Sequence, residues 1–319
     1  MVDSFLNRFP TSMVAYQKKS RKENLIIRAR VIEAVRRYFI NYDYIEVETP
    51  VRIPAPAPEA HIDAVASGDW FLQNSPELCM KRLLAAGFPR IFQICKCFRQ
   101  GERGRLHLPE MTLLEWYRAD SNYLDMMDEC EALINTVARR NGSKEEILIY
   151  QGKEFKLTPP WPRISVSEAF EKLGSIPLHV ALERGQFDEI MVEKIEPNLA
   201  QTRPVFLYDY PASRAALARL KPQDLRYAER FELYIGGLEI CNAFSELTDP
   251  VEQRKRFEHE KDHRRKSGKP LYPMPEKFLT ALGNMPAAAG NALGIDRLVM
   301  LFSDSKQIDE VVAFTPEEL

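Results

Sequence analysis

The feature that most constrains the fold of this chain is a pair of strand-like runs that flank a short basic loop. Arg90–Phe98 is rich in aromatic and β-branched residues, and residues 111–117 alternate between two faces with a period of two. One face of the second run carries Met111, Leu113, Glu115 and Tyr117. The two runs therefore predict an antiparallel hairpin whose far strand presents a carboxylate and a phenol to the same side.

The loop between the two runs carries four side chains that can donate hydrogen bonds to phosphate: Arg99, Arg103, Arg105 and His107. Guanidinium groups bind phosphate oxygens through charge-assisted hydrogen bonds, so the loop is a candidate polyphosphate clamp. A solvated charged turn at the tip of an exposed hairpin is the alternative, and residue type alone leaves both interpretations open.

Composition restricts the class of protein. The chain has 319 residues and a formal net charge of −2, which argues against a surface devoted wholly to nucleic acid. Its five cysteines include no Cys-x-x-Cys pair, so we expect free thiols in a reducing compartment. No apolar run approaches membrane-spanning length, and we therefore expect a cytoplasmic protein without a membrane partner.

Periodicity and turn residues predict the remaining elements. We expect a helix over residues 24–39, a strand over 44–49 that Pro50 ends, and a short helix that starts with Ser75 as N-cap and Pro76 in its first turn. A helix over 124–140 ends at Asn141, and the mixed signals of 143–203 suggest an insertion that decorates the core. A strand over 205–208, a hairpin at residues 236–237, a charged helix over 250–266 and a closing helix from Asp296 follow.

The hairpin at residues 236–237 is a candidate metal site. If Ile235 pairs with Leu238, Tyr234 opposes Glu239, Glu232 opposes Cys241, and the two glutamates are diagonal neighbours on one face. Carboxylate oxygens beside a polyphosphate favour Mg²⁺, whereas a solvated acidic face is the alternative. Strict alternation turns Asn242 and Glu246 away from Glu239, so a β-bulge is required if all three line one pocket.

Residues 290–302 predict a glycine-spaced strand or turn that runs into an apolar helix. Gly290 and Gly294 permit close approach of the backbone, and Arg297 lies in the first helical turn, where it could bind a terminal phosphate. The alternative is that Asp296 and Arg297 form a simple capping pair.

The segment from His259 to His263 matches the H-E-x-x-H pattern of zinc proteases. Charged residues surround it on every side, so a solvent-facing helix is the preferred interpretation.

Taken together and in this order, these segments resemble the signature motifs of class II aminoacyl-tRNA synthetases, in particular the lysyl branch. Residues 24–50 resemble motif 1, 98–117 motif 2 and 290–302 motif 3, while 75–83 and 239–247 resemble the lysine-recognition segments. The resemblance implies an α+β class II synthetase core with an antiparallel sheet flanked by helices. It also implies a catalytic domain over 24–319 behind an arm over 1–23, and a homodimer through the motif 1 helix and strand.

Only some two dozen residues precede motif 1, whereas lysyl-tRNA synthetases carry an anticodon-binding domain there. With Arg118 after motif 2 and Ala292 in place of glycine, the chain is similar to the elongation factor P lysyltransferases, which are paralogues of those synthetases. This likeness implies that ATP and Mg²⁺ activate lysine or β-lysine for transfer to a lysine of elongation factor P, with tRNA an unlikely partner. The alternatives are a free-standing synthetase fragment that charges tRNA or makes dinucleotide polyphosphates, and a non-catalytic regulatory module.

The same resemblance implies individual roles. Arg99 would contact the substrate carboxylate and the α-phosphate, His107 and Arg297 the γ-phosphate, and Glu232 with Glu239 the Mg²⁺ ion. Glu77 would bind the amine near the carboxylate and Tyr117 with Glu246 the terminal amine, supported by Glu115 and Asn242.

Implied catalytic residues are Arg99 and Arg297. Implied ATP-site residues are Arg99, Gln100, Gly101, Glu102, His107, Leu108, Met111, Glu239, Ile240, Gly294 and Arg297. Implied amino-acid-site residues are Ser75, Pro76, Glu77, Glu115, Tyr117, Asn242, Glu246 and Ala292. The chain departs from the family pattern at Gly101, Leu108, Met111 and Ala243.

Overall fold

A computed structural model describes residues 19–143 and 146–319. Within these residues the helices are α1 (Arg21–Asn41), α2 (Glu77–Ala85), α3 (Tyr123–Arg140), α4 (Val166–Ala169), α5 (Leu178–Glu183), α6 (Phe187–Ile190), α7 (Pro250–Lys266), α8 (Glu276–Leu282) and α9 (Ile295–Ser303). The strands are β1 (Ile45–Glu46), β2 (Arg52–Ile53), β3 (Ala66–Ser67), β4 (Trp70–Leu72), β5 (Arg90–Phe98), β6 (Glu110–Ala119), β7 (Ile147–Tyr150), β8 (Lys153–Lys156), β9 (Arg163–Ser165), β10 (Val205–Pro211), β11 (Leu220–Lys221), β12 (Asp224–Ile235), β13 (Leu238–Ser245) and β14 (Ala288–Gly294). None of these helices is long and apolar enough to cross a membrane.

A nine-stranded sheet organises the chain, in the order β1-β5-β6-β14-β13-β12-β10-β9 with β11 attached to β12. Its pairings are antiparallel except β1 with β5 and β9 with β10. The hairpin predicted from the sequence is confirmed, because β5 and β6 pair along their whole length with Gln93 opposite Glu115. The predicted α+β sheet flanked by helices is what the chain forms.

Helix starts follow local capping chemistry. Ser20 and Glu23 form a capping box, so α1 begins at Arg21, three residues before the predicted start at Asn24. The predicted arm over 1–23 lies mostly outside the described residues. At α2 the prediction was wrong by one residue, because Pro76 occupies the cap position and the Ser75 hydroxyl accepts the Glu77 amide at 3.0 Å.

The strand predicted over residues 44–49 is much shorter than expected. Only Ile45 and Glu46 pair with β5, and the Val47 amide adds one more bond to the Phe92 carbonyl. Pro50 has no amide to donate, so the chain leaves the sheet soon afterwards.

The main core lies on one face of the sheet, beneath α1, α3 and α9. Phe39 of α1 stacks on Phe92 of β5 with ring centroids 4.8 Å apart, and Trp116 of β6 is fully buried beside them. A smaller cluster on the opposite face packs α2 and α8 together through Leu84 and Leu282. This second layer leaves the middle of the sheet open, and the functional cavity lies there.

The expectation that residues 143–203 only decorate the core is wrong in part. Leu148, Phe155 and Trp161 belong to the main core, and β9 extends the main sheet beside β10. The short helices after β9 form a separate cluster around Phe170, as an insertion would.

The hairpin of β12 and β13 contains a β-bulge, which the sequence called for only if Glu239, Asn242 and Glu246 share one pocket. Tyr234 opposes Glu239 as predicted, but the next pair is Leu233 with Cys241, so Ile240 is the extra residue. Glu232 therefore opposes Asn242 instead of Cys241, which corrects the predicted register. The bulge turns Asn242 towards the same side as Glu239.

Asp296 joins the three sequence motifs. Its carboxylate accepts the Thr112 amide of β6 at 2.7 Å and pairs with the Arg28 guanidinium of α1 at 2.6 Å. Arg28 also donates to the Thr112 hydroxyl at 2.8 Å. A simple capping pair of Asp296 with Arg297 is therefore not formed.

We expect Asp296→Ala to lower the free energy of unfolding by about 3–5 kcal/mol, because it leaves a largely buried guanidinium without its partner. Chemical denaturation measures the effect. Glu46→Ala is the control, since it removes an exposed ion pair with Arg36 and should cost less than about 1 kcal/mol. Equal losses in the two variants would contradict the central role of Asp296.

Candidate active site

A cavity of about 480 Å³ opens on the exposed middle of the sheet. It brings together most of the residues that the sequence assigned to a site. Those lining it are Ser75, Glu77, Arg99, Glu102, His107, Leu108, Met111, Glu115, Tyr117, Glu232, Glu239, Ile240, Asn242, Ala292, Gly294 and Arg297. Leu113 also lines it, so the predicted face of β6 is confirmed.

Four assigned residues do not line the cavity. Pro76 caps α2, and the Gln100 amide bonds to the Asp63 carbonyl at 2.7 Å in the turn after β5. Gly101 is exposed with φ of 79°, a conformation that strains any residue with a side chain. The positive φ angle thus explains why glycine stands at this position, where the family pattern has another residue. Glu246 is buried behind the cavity wall.

One end of the cavity is cationic. Arg297 donates to the Glu239 carbonyl at 2.8 Å and to its carboxylate at 3.2 Å, while its other terminal nitrogen lies 2.6 Å from His107 Nε2. A guanidinium can only donate, so His107 accepts through Nε2 and carries its proton on Nδ1. Burial and the neighbouring Arg297 lower the pKa of His107, which keeps the ring neutral. His107 therefore adds no second positive charge beside Arg297, and the guanidinium is the cation at this end that can bind an anion.

Arg99 adds a second cation to this end. Its Nε is buried and has no hydrogen-bond partner among the described residues, and the Glu102 carboxylate lies 3.7 Å from its terminal nitrogen. A buried donor without a partner costs free energy until a ligand supplies an acceptor. Arg99 is thus suited to bind an anionic group.

Arg103 and Arg105 do not belong with the phosphate donors, contrary to the prediction from residue type. Arg103 pairs with Asp309 at 2.9 Å and with Glu317 at 2.8 Å, and Arg105 donates to the Lys306 carbonyl at 3.3 Å. Both side chains fasten the motif 2 loop to the C-terminal segment. Their partners lie some two hundred residues further along the chain, so the local sequence could not predict them.

The two carboxylates of the predicted metal site differ in what they can still bind. Glu232 Oε2 accepts the Tyr210 and Tyr234 hydroxyls at 2.6 and 2.7 Å, and Oε1 accepts Arg230 at 2.7 Å and Asn242 at 3.3 Å. Both oxygens are therefore saturated.

Within the described parts of the chain, the Glu239 carboxylate pairs with Arg297 alone, and it is better exposed than that of Glu232. Burial and the nearby Glu239 charge raise the pKa of Glu232, so a cation beside the pair would relieve real repulsion. Glu239 is therefore suited to bind Mg²⁺ directly. Glu232 could contribute only its negative charge from nearby, because its oxygens already accept hydrogen bonds. No group of three or more potential metal ligands occurs in the described parts of the chain.

The opposite end of the cavity is acidic. Glu115 is 1% exposed and accepts the Ser75 hydroxyl at 2.6 Å and the Tyr117 hydroxyl at 2.8 Å. Burial, reinforced by the charge of Glu77, raises the pKa of Glu115 to about 7. This end is therefore suited to a cationic group, which would favour the ionised carboxylate.

Lys81 is a buried cation beside the acidic end to which no role was assigned from the sequence. Its ammonium is 1% exposed and lies 2.5 Å from both the Glu77 and Glu246 carboxylates. Burial lowers the pKa of Lys81, but the charges of Glu246 and Glu77 outweigh it and raise the pKa above its ordinary value. The spacing of Glu77 and Lys81 by four residues on one helix was a signal that could have revealed the pair.

Glu246 is held behind the cavity by close packing. Burial raises its pKa to about 8 despite the Lys81 charge. A Cβ added at Gly290 would lie 2.3 Å from the Tyr117 ring and 2.5 Å from Glu246 Oε1. Only glycine at this position leaves room for both side chains.

Comparison with known proteins gives a consistent result. The family described as tRNA synthetases class II (D, K and N) matches residues 7–318. An elongation factor P (R)-beta-lysine ligase from Erwinia tasmaniensis is 38% identical over 318 residues, covering 94% of this chain and 97% of the relative. A protein of the same name from Edwardsiella ictaluri is 36% identical over 322 residues, covering 96% and 98%. A lysine tRNA ligase from Moorella thermoacetica is 36% identical over 321 residues, which cover 92% of this chain and 65% of that relative.

The raised pKa of Glu115 predicts a pH-dependent stability in the ligand-free protein. Because the folded chain retains a proton that the unfolded chain releases, the free energy of unfolding should fall as pH rises from about 5 to about 7. Glu115→Gln removes this titration and should reduce the fall by up to about 3 kcal/mol. Urea denaturation across this range measures the slope.

Glu110→Gln is the matched control, because Glu110 is an exposed carboxylate at the start of the same strand. Its slope should equal that of the wild type. A Glu115→Gln slope that also equals the wild type would show that burial does not hold a proton on Glu115.

Proposed function

Because the chain belongs to the family of class II tRNA synthetases, we propose that it activates β-lysine or lysine with ATP and transfers it to a lysine side chain of elongation factor P. The family match confirms the predicted α+β core and the prediction of an ATP-dependent ligase. One observation carries the substrate proposal: a single cavity has a cationic end at Arg99 and Arg297 and an acidic end at Glu77 and Glu115. A diamino acid joined to a phosphate has complementary charges at its two ends.

Activation requires the substrate carboxylate to attack the α-phosphorus of ATP while pyrophosphate leaves. Arg99, with its unpaired buried Nε, is placed to hold the carboxylate and the α-phosphate and to stabilise the charge that develops there. Arg297, with neutral His107 beside it, is placed to hold the leaving phosphates. Catalysis then depends on positioning and charge, without a covalent intermediate on the enzyme.

Transfer requires an acceptor lysine amine to attack the activated carbonyl, with AMP as the leaving group. The enzyme's own part in this step is to keep the acyl group in place through its amines, at Glu77 and at the Tyr117 side of the cavity. Magnesium, when bound near Glu239 and Glu232, would neutralise phosphate charge. Leu108, Met111 and Ile240 supply apolar contacts for the adenine ring.

We further propose a homodimer through α1 and β1. Ile40, Tyr42 and Ile45 are 57%, 53% and 48% exposed and lie together at the end of α1 and the start of the sheet. Exposed apolar residues that cluster in this way are typical of protein interfaces. The five free cysteines are consistent with action in the cytoplasm, where we place the reaction.

The proposed transfer is tested by incubating the protein with ATP, Mg²⁺, β-lysine or lysine, and purified elongation factor P. Intact mass of the acceptor should increase by one lysyl residue. Arg99→Ala should slow amino-acid-dependent exchange of pyrophosphate into ATP by about 100- to 1,000-fold. Lys96→Ala, which removes an exposed cation from the same hairpin, should leave exchange near the wild-type rate.

A parallel reaction with tRNA distinguishes the alternatives. Acylation of tRNA in place of elongation factor P would favour the free-standing synthetase. Absence of Mg-ATP binding in calorimetry would favour a regulatory module and contradict the proposal.

The dimer proposal predicts that charge at the exposed patch separates the subunits. Wild-type protein should sediment as a dimer at micromolar concentration. The double variant Ile40→Asp with Tyr42→Asp should sediment as a monomer, because each substitution would place a carboxylate in an apolar interface. Val192→Asp is the control, since Val192 is 61% exposed within the insertion. A monomeric wild type would contradict the proposal.

A further inference from the structure

A carboxylate that the sequence motifs do not assign also lines the cavity. Glu59 lies in the segment between β2 and β3 and is partly buried beside Ser75, Glu77 and Arg99. In the described parts of the chain, no side chain or amide hydrogen-bonds its carboxylate. Among the residues that the structure describes, the Glu59 carboxylate therefore lines the cavity without a hydrogen-bond partner.

The backbone that carries Glu59 is firmly held. Arg264 is fully buried and donates to the Glu59 carbonyl at 2.8 Å and to the Ile62 carbonyl at 3.0 Å. Glu260 accepts the Ala60 amide at 2.8 Å. Helix α7, which carries the H-E-x-x-H pattern, therefore holds this wall of the cavity in place through Arg264 and Glu260.

The acids at the acidic end of the cavity and behind its wall already have partners. Glu77 and Glu246 share the Lys81 ammonium, and Glu115 accepts two hydroxyls. Glu59 is different because its strongest charged neighbours are Arg99, which opposes the effect of burial on its pKa, and Glu77, which reinforces it. A cation placed between Glu59 and Glu77 would satisfy both carboxylates.

We propose that Glu59 binds the ammonium group nearest the substrate carboxylate and so helps to select a diamino acid. The assignment to that amine rests on the proposed function, in which Arg99 holds the carboxylate itself. An amine one or two carbons from that carboxylate lies between Arg99 and the acidic end of the cavity, beside Glu59 and Glu77. The terminal amine lies towards Tyr117 and Glu115.

The test compares amino acids that contain or lack this amine. Glu59→Gln keeps the shape of the side chain and should weaken binding of lysine and β-lysine by about 10- to 100-fold, since a hydrogen bond to a charged partner is lost. Norleucine, which has only the amine near the carboxylate, should lose a similar factor. Aminocaproate, which has only the terminal amine, should bind Glu59→Gln and wild type equally. Calorimetry in the presence of a non-hydrolysable ATP analogue measures each affinity.

Two further variants separate binding from structure. Glu59→Asp keeps the charge and should retain part of the affinity for lysine. Glu258→Gln changes an exposed carboxylate on α7 and should have no effect. If Glu59→Gln weakened aminocaproate as much as lysine, Glu59 would be a structural residue and the assignment would be wrong.

The wild-type protein shows which hypothesis fails. If the wild type binds lysine and Glu59→Gln binds it with the same affinity, only the assignment of Glu59 is overturned. A wild type that binds none of these amino acids would overturn the proposed function and this assignment together.

Discussion

The acidic end of the cavity depends on one buried ammonium, that of Lys81. Three carboxylates, Glu77, Glu115 and Glu246, lie at this end, and two of them are 1% exposed. Burying such groups costs several kcal/mol per charge unless a partner compensates. Lys81 bridges Glu77 and Glu246 but leaves Glu115 to neutral hydroxyl donors. The negative charge at this end is therefore only partly compensated, and a cationic ligand would compensate the rest.

Small details of the sheet make this charge cluster possible. Gly290 of β14 leaves space for the Tyr117 ring and the Glu246 carboxylate, which no residue with a Cβ would allow. The bulge at Ile240 turns Asn242 towards Glu232 and fixes that carboxylate at the other end of the cavity. Asp296 binds α1, β6 and α9 to one another, so both ends are held on one rigid framework.

Local patterns in the sequence predicted the elements that carry the site. The alternation of residues predicted which side chains of β6 share one face, and the glycine pair predicted the turn between β12 and β13. Both features depend only on residues that are close in the sequence. The need for a bulge was also predictable, although the residue that forms it was not. The partners of Arg103 and the sharing of Lys81 with Glu246 depend on contacts between distant segments, which no local pattern encodes. The roles of individual site residues therefore stay proposals, whereas the fold is confirmed.

The electrostatic arrangement links substrate binding to protonation. In the ligand-free protein, burial holds a proton on Glu115 at a pH where exposed glutamates are ionised. An ammonium group placed at the acidic end would favour the ionised carboxylate, so its binding would release that proton and would tighten as pH rises. Under the proposed function, a substrate with two amines would supply one cation beside Glu59 and another on the Glu115 side of the cavity, which a ligand with a single positive charge cannot do.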